Sequence, residues 1–242
     1  MQRVFVEREW IDGDRILLPE RERHYLAGVL RLRAGDSFQA ILDGEAEMNA
    51  VLEQASPRCV ARIVGREKVT EERGPSITLL QAVLKAPRMS WLVQKATELG
   101  VSLLVGVVTE RTVPRRGGAQ ERASRWRTIA REAAEQCGAT RLPRVEGALP
   151  YRQALAGCEG QDLRLLLWEG KAPHLRDALA RASNVERVCL AVGPEGGFTT
   201  GEVEAARAAG FIPVSLGSRI LRSETAAIAA LAILRFALGG DE

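Results

Sequence analysis

Two glycine-bearing segments hold the residues best suited to close around a small ligand, because each follows an apolar run and precedes a helical pattern. The first is Gly193-Pro-Glu-Gly-Gly-Phe198, after Cys189-Leu-Ala-Val192. The second is Leu216-Gly-Ser-Arg-Ile-Leu-Arg-Ser-Glu-Thr-Ala226, after Ile212-Pro-Val-Ser215. Gly196 and Gly197 can take positive φ and let backbone approach a ligand that a Cβ would exclude. In open α/β sheets ligands settle beyond the carboxyl ends of the strands, so two such loops at one edge would form one pocket. Read alone, the first segment is equally a tight strand-to-helix turn, with Thr199 and Glu202 forming a capping box for the next helix. Neither segment matches the dinucleotide fingerprint or the phosphate loop, and those two enzyme classes lose their main support. In the second segment Arg219, Arg222 and Glu224 lead into an apolar helix, where charges need partners or ligands. The alternative is that Arg222 and Glu224 cap helix ends or pair with each other.

A second chemistry-bearing feature is basic. Between Arg111 and Arg131 there are seven arginines (111, 115, 116, 122, 125, 127 and 131) against one acid, Glu121, a local charge of about +6. On a helix Arg122 and Arg125 are three apart and Arg127 and Arg131 four apart, a spacing that lines one face able to neutralise phosphates. Arg115-Arg116-Gly117-Gly118 adds a basic loop beside it. A charge run is usually a solvated helix face, but the one-sided sign favours RNA. The argument has to be local, since 34 Lys and Arg against 31 Asp and Glu leave the chain at only +3. Residues 1–72 carry 11 basic and 14 acidic residues, so that region would touch RNA only through selected side chains such as Arg3, Arg23, Arg31 and Arg33. His24 stands at a helix start, where a lone histidine is more often structural.

The elements that must position these residues fall into two groups. Val4–Val6, Ile16–Leu18, Phe38–Leu42 and Val60–Val64 read as short strands, with an Asp43-Gly44 turn signal and one helix at about residues 20–31. This predicts a small, mostly β domain over residues 1–70. A polar, Gly-Pro-punctuated linker follows at 71–76. From residue 77 to 242 strands and helices alternate. Ile77–Leu84, Val101–Val108, Leu163–Trp168, Val188–Val192 and Ile212–Leu216 read as strands. Helices are expected where Met89, Leu92, Val93, Ala96 and Leu99 share a face, at about 119–137, at Leu175–Ala182, and at about 224–238, the last apolar on most sides and expected to be buried. This is the grammar of an α/β fold with a parallel sheet covered on both faces.

Composition narrows the class further. With 46% hydrophobic and 27% charged residues the chain reads as a soluble globular protein. Four cysteines without a Cys-x-x-Cys pair, and two distant histidines, argue against a metal site or disulfide framework. The N-terminus lacks the apolar run of a signal peptide. The longest apolar stretch, Ala226–Leu234, falls well short of the roughly 20 residues a membrane span needs. A cytoplasmic location is expected.

The two glycine segments together, GPEGG and then LGxRILRxETA after about twenty residues, closely resemble the C-terminal signature of the RsmE family, which methylates N3 of a uridine in 16S ribosomal RNA. Gln94-Lys-Ala-Thr-Glu-Leu-Gly-Val101, Glu110-Arg111, Glu135-Gln-Cys-Gly138, His24-x4-Val-Leu-Arg31 and Gly35-Asp36 match the family's motifs in the family's order, over nearly the whole chain. One departure is Ala139, where the family often has an arginine; Arg141 keeps the second basic position. The resemblance implies a SPOUT-class methyltransferase: a C-terminal α/β domain threaded into a trefoil knot, a topology otherwise almost absent from proteins, after an N-terminal PUA-like β-barrel. It implies a homodimer with the pocket near the subunit interface. It also implies that S-adenosylmethionine, leaving as S-adenosylhomocysteine, is held by Leu167, Trp168, Gly193, Glu195, Gly196, Gly197, Leu216, Gly217, Ile220, Leu221, Arg222, Thr225 and Ala226.

Methyl transfer from a sulfonium to a ring nitrogen needs the reactants held in line, and positioning can supply most of the acceleration. The uracil N3 proton must leave, and negative charge spreads to the flanking carbonyl oxygens. Arginine suits the second task, and Arg222 is the expected residue, with Arg111 or Arg131 as alternatives. Glu98 or Glu135 would be the general base, although helix-face carboxylates are usually solvated. Two rival readings remain: the same fold acting on transfer RNA or a ribose hydroxyl, and a non-catalytic RNA-binding or assembly protein.

Overall fold

The computed structural model describes residues 1–70, 74–112 and 118–239, which form two compact units: residues 1–72 with 131–142, and residues 73–130 with 143–242. In the first unit period-2 alternation builds a six-stranded sheet. Its strands are β1 (Arg3–Val6), β2 (Ile11–Asp12), β3 (Arg15–Leu18), β4 (Ser37–Leu42), β5 (Ala46–Gln54) and β6 (Cys59–Lys68). They run in the order β1-β4-β5-β6-β3-β2, antiparallel except for the β1–β4 pair. Asp43-Gly44 turns β4 into β5, with Gly44 at φ +66°. One face buries Val4, Ile16, Phe38, Met48 and Leu52 around Leu26. Leu26 belongs to a short helix, α1 (Glu20–Arg23), that widens into a π-helical stretch over His24–Val29.

On the other face Phe5 and Ile41 pack on Ala134, with Ala139 and Leu142 alongside. Ala139 is thus a small apolar side chain in a partly buried place. Glu135 accepts a hydrogen bond from the Phe5 N–H at 3.2 Å, and Arg131 donates to the Phe5 carbonyl while pairing with Glu22 at 3.7 Å and Glu135 at 3.4 Å.

The second unit is an α/β layer structure. Its strands β7 (Ser76–Ala82), β8 (Leu103–Val108), β9 (Arg144–Pro150), β10 (Leu163–Leu167), β11 (Arg187–Val192) and β12 (Ile212–Val214) are all parallel, in the order β12-β10-β11-β7-β8-β9. The helices are α2 (Ala86–Glu98), α3 (Ala119–Cys137), α4 (Tyr151–Ala156), α5 (Leu175–Leu179), α6 (Thr200–Ala208) and α7 (Ser223–Leu238); from Arg131 onward α3 is grouped with the first unit. Leu165, Leu167, Leu190 and Val192 face one core, with Met89 and Leu92 of α2 and Ala227, Leu231 and Leu234 of α7. The alternate residues Leu166, Cys189 and Ala191 face a second core, with Ala154 and Leu155 of α4 and Val203 and Ala206 of α6. Burial on both sides is why these strands read as continuous apolar runs.

Several features differ from the sequence reading. The two-residue β2, the nine-residue β5 and the polar-interrupted β9 are strands it did not list, and α4 is a helix it did not list. The last helix is not buried all round: Ala227, Ala230, Leu231 and Leu234 are buried, but Phe236 is 93% exposed and Ile233 39%. Among the described residues no helix is long and apolar enough to cross a membrane, and no group of three or more His, Cys, Asp or Glu could hold a metal ion.

Candidate active site

Register decides where the loops meet. Leu167, the last residue of β10, pairs with Val192 of β11 on one side and Val214 of β12 on the other. Three adjacent strands therefore end level, and the loops that follow emerge side by side. They enclose a cavity of about 530 Å³, within the ordinary size of a small-molecule site. Its lining includes Leu167, Trp168 and Glu169 after β10, residues 193–197 after β11, and residues 215–223 after β12, with Arg88 from the start of α2 and Ala226 from α7. The residues expected from the sequence, Leu167, Trp168, Gly193, Glu195, Gly196, Gly197, Leu216, Gly217, Ile220, Leu221, Arg222 and Ala226, are brought together here. Thr225 does not line the cavity and is exposed on the first turn of α7.

Each loop is pinned by side chains from elsewhere in the same unit. Buried Ser223 donates to the carbonyl of Gly193, and Gln81, fully buried on β7, donates to the Ser223 hydroxyl at 3.0 Å. Arg111 donates to the carbonyl of Gly196 at 2.6 Å and lies so close that a Cβ on Gly196 would come within 3.3 Å of its Cδ. Gly197 sits at φ +69°, and a Cβ there would run into the Glu169 carboxylate. Thr199 and Glu202 form the expected capping box at 2.9 and 3.2 Å. The same Glu202 accepts the Glu110 N–H at 2.8 Å, so the Glu110-Arg111 motif is tied to the first loop at two points. Behind it the Tyr151 ring stands 5.4 Å from Phe198 and its hydroxyl donates to the Glu202 carbonyl at 3.1 Å. Burial, and then the Glu202 charge, push the Tyr151 phenol above its ordinary range.

The charges at the pocket are arranged around Arg88. Its guanidinium pairs with Glu195 at 3.4 Å and Glu224 at 3.6 Å. Arg222 and Glu224 do not pair with each other. Arg222 occupies the N-cap position of α7 without a side-chain capping bond, and its exposed guanidinium borders the pocket. Among the described residues neither Arg219 nor Arg222 forms an ion pair, so both are available to a ligand.

Other expected residues lie elsewhere. Glu98 closes α2, ten residues from Arg88 and so about 15 Å along the helix, with its carboxylate held by Lys95 at 2.7 Å. Glu135 and Arg131 are engaged around Phe5 in the first unit, where burial raises the Glu135 carboxyl against the pull of the Phe5 N–H and Arg131. Neither lines the pocket. Arg127 donates to the Val145 carbonyl at 3.0 Å, while Arg125 is exposed. Arg3 is held by Gln39 at 2.8 Å and Glu47 at 3.2 Å, and Arg23 by Glu20 at 2.8 Å. His24, Arg31 and Arg33 are exposed. Arg115 and Arg116 lie outside the described residues.

Sequence reasoning missed Arg88, Glu169, Ser223 and Gln81. Gln81 had a readable signal, a lone amide within an apolar strand. Arg88 had none, standing 107 positions from Glu195.

A model of the RNA methyltransferase domain matches residues 71–235. The chain belongs to the RsmE family. It is 34% identical to the ribosomal RNA small subunit methyltransferase E of Synechocystis over 95% of this chain and 76% of that one. With the Bacillus subtilis RsmE protein it shares 29% identity over the full length of both. Among solved structures, the RsmE protein of Neisseria gonorrhoeae bound to S-adenosyl methionine superposes with a TM-score of 0.89 at 32% identity, covering 99% of this chain and 98% of that one. A Legionella pneumophila methyltransferase in complex with the same cofactor superposes with a TM-score of 0.90 at 31% identity and the same coverage.

Proposed function

We propose that this RsmE-family chain transfers a methyl group from S-adenosylmethionine to N3 of a specific uridine in 16S ribosomal RNA. The observation that carries the reading is the level ending of β10, β11 and β12, which gathers twelve of the thirteen family cofactor positions around one cavity.

The residues present suit the donor. Close-approach backbone at Gly193, Gly196, Gly197 and Gly217 admits a nucleoside, and Leu167, Val192, Val214, Leu216 and Ala226 offer apolar walls to a planar ring. Glu169 and Glu195 supply negative charge near which a cationic, zwitterionic ligand is stable. When bound, S-adenosylmethionine supplies an electrophilic methyl group on a sulfonium. Arg222, exposed at the pocket edge, stabilises the negative charge that develops on the two uracil carbonyl oxygens. That stabilisation makes the N3 proton more acidic, so that it passes to solvent water and the N–H bonding pair becomes the nucleophile that takes the methyl group. Arg111 holds the Gly196 carbonyl and so keeps the first loop in place. Nothing in this scheme requires a covalent enzyme intermediate.

In this reading residues 77–242 form a SPOUT domain with a C-terminal trefoil knot, and residues 1–70 a PUA-like barrel that helps hold RNA through Arg23, His24, Arg31 and Arg33. Arg111 and Arg127 extend the RNA-facing surface. The protein acts in the cytoplasm as a homodimer, an arrangement supported by the exposed apolar side chains Ile220, Ile233 and Phe236. The test is mass-spectrometric mapping of 16S RNA from a deletion strain carrying either the wild-type gene or a vector. Restoration of a methyl group at uridine N3 is expected; a modification on transfer RNA or a ribose hydroxyl would overturn the reading. Sedimentation of the wild-type protein beside Phe236→Glu checks the dimer, with a shift to monomer expected.

A further inference from the structure

The two ligand loops descend from different strands and share no covalent link short enough to hold them in register. Ser223 fastens one of them to Gly193 by a single hydrogen bond. The second connection is electrostatic and passes through a residue that belongs to neither loop. Arg88 stands near the start of α2, whose inner residues Met89, Leu92, Val93 and Ala96 are buried with Ala227, Ala230, Leu231 and Leu234 of α7. Arg88 thus projects from a helix that is anchored in the core, and its head reaches Glu195 in the first loop and Glu224 at the second position of α7.

The two carboxylates are not equivalent. The Glu195 side chain keeps 30% of its exposure and can be solvated. The Glu224 side chain keeps 10%, and its Oε2 is buried with no hydrogen-bond partner. An ionised carboxylate so placed is costly unless paired. Two features offset the cost: the positive end of α7, near which a carboxylate is favoured, and Arg88. A guanidinium has donors enough, in a planar fork, to serve two carboxylates at once, which a lysine ammonium on a flexible stem does poorly.

We propose that Arg88 is a positioning residue of the methyl-donor pocket, a single cation that ties the first glycine loop to the head of α7 through Glu195 and Glu224. It acts on the donor by holding both walls of the pocket in register. This rests on the methyl-donor reading above, and it assigns the burden to one partner: loss of Arg88 matters chiefly because Glu224 is left buried and unpaired. Neutralising Glu224 must therefore relieve the damage.

The experiment is titration calorimetry of the full-length protein with S-adenosylhomocysteine, which binds without reacting, on wild type, Arg88→Met, Arg88→Lys, Glu224→Gln and the Arg88→Met/Glu224→Gln pair, with KM and kcat on RNA alongside. Arg88→Met is expected to weaken binding by about tenfold or more and to raise KM for the donor, leaving kcat at saturating donor within about twofold. The pair should bind more tightly than Arg88→Met alone, and Arg88→Lys should fall between Arg88→Met and wild type. Arg88→Met binding within about twofold of wild type, or losses that simply add in the pair, would overturn the proposal. Should Arg88→Met not fold, Arg88→Lys decides: wild-type affinity there overturns it. A wild-type protein that does not bind S-adenosylhomocysteine overturns the methyl-donor reading and this proposal together, whereas wild-type binding with indifferent Arg88 variants overturns this proposal alone.

Discussion

Ser223, the first residue of α7, donates its hydroxyl hydrogen to the carbonyl oxygen of Gly193, the first residue of the glycine loop after β11. The same hydroxyl accepts from Gln81 on β7, so one small side chain joins two loops to the central strand. Replacing it with alanine leaves a buried amide and a buried carbonyl each short of a partner. Ser223→Ala is expected to lower stability by about 1–3 kcal/mol, read as a shift in the urea midpoint at unchanged slope, and to weaken donor binding as well. A midpoint equal to wild type would mean the bond contributes nothing net.

Two glycines four positions apart, one in a loop and one at a helix start, should respond in opposite directions. Gly197 has φ +69° and no room for a Cβ beside Glu169. Gly201 lies in the first turn of α6, with only the Thr199 hydroxyl oxygen at 4.0 Å from where a Cβ would sit. Gly197→Ala is expected to lose donor affinity by about tenfold or more, because a Cβ is strained at that φ and displaces the Glu169 carboxylate that lines the pocket. Gly201→Ala should raise stability by about 0.4–1 kcal/mol through the unfolded chain. Thermal melts and calorimetry on both variants check the pair; equal behaviour would contradict the geometry.

Arg222 borders the pocket without an ion pair among the described residues. In the proposed reaction this guanidinium stabilises the charge that develops on the two uracil oxygens. Arg222→Ala should keep its fold and lose roughly a hundredfold in turnover on RNA, measured as methyl incorporation at saturating donor. Activity retained within about threefold would remove Arg222 from the chemistry.

Burial pushes the Glu135 carboxyl above its ordinary 4.5, and the Phe5 N–H and Arg131 only partly oppose it. As pH rises past 4.5 the unfolded chain releases this proton while the folded chain still holds it, so the folded state binds more protons and stability falls with rising pH. The contribution is complete below that value and is lost as pH climbs through the raised one. Glu135→Gln keeps an acceptor for the Phe5 N–H and cannot ionise. Its stability, followed by urea unfolding from about pH 4 to pH 8, should gain on wild type as pH rises. Parallel profiles would show that Glu135 does not titrate abnormally.

The local elements around the pocket were legible because their signals are local. An apolar run bounded by glycine marks a buried strand and its turn, and Thr199 with Glu202 marks a helix start; both stand in the structure as read. The β5 strand had an equally plain alternation in Ala46–Gln54 that the reading did not list. The basic count between Arg111 and Arg131 could not show which of these arginines also have partners within the chain, because a sum of charges does not see geometry. Arg131 serves the Phe5 carbonyl, Arg127 the Val145 carbonyl and Arg111 the Gly196 carbonyl. The last helix misled for a related reason: composition reports how apolar α7 is, and only packing reports that Phe236 is left exposed.

Sequence alone determined the family, the α/β grammar of the C-terminal part and twelve of the residues that line the cavity, since motif identity and hydrophobic period are properties of neighbours along the chain. Tertiary structure alone decided that residues 131–142 pack with the first unit, that Glu98 ends away from the pocket, and that Arg88 joins Glu195 to Glu224. Those outcomes depend on strand order and side-chain reach between segments as many as 136 positions apart, as in the pairing of Arg88 with Glu224, and no periodicity in the chain encodes a distance across space.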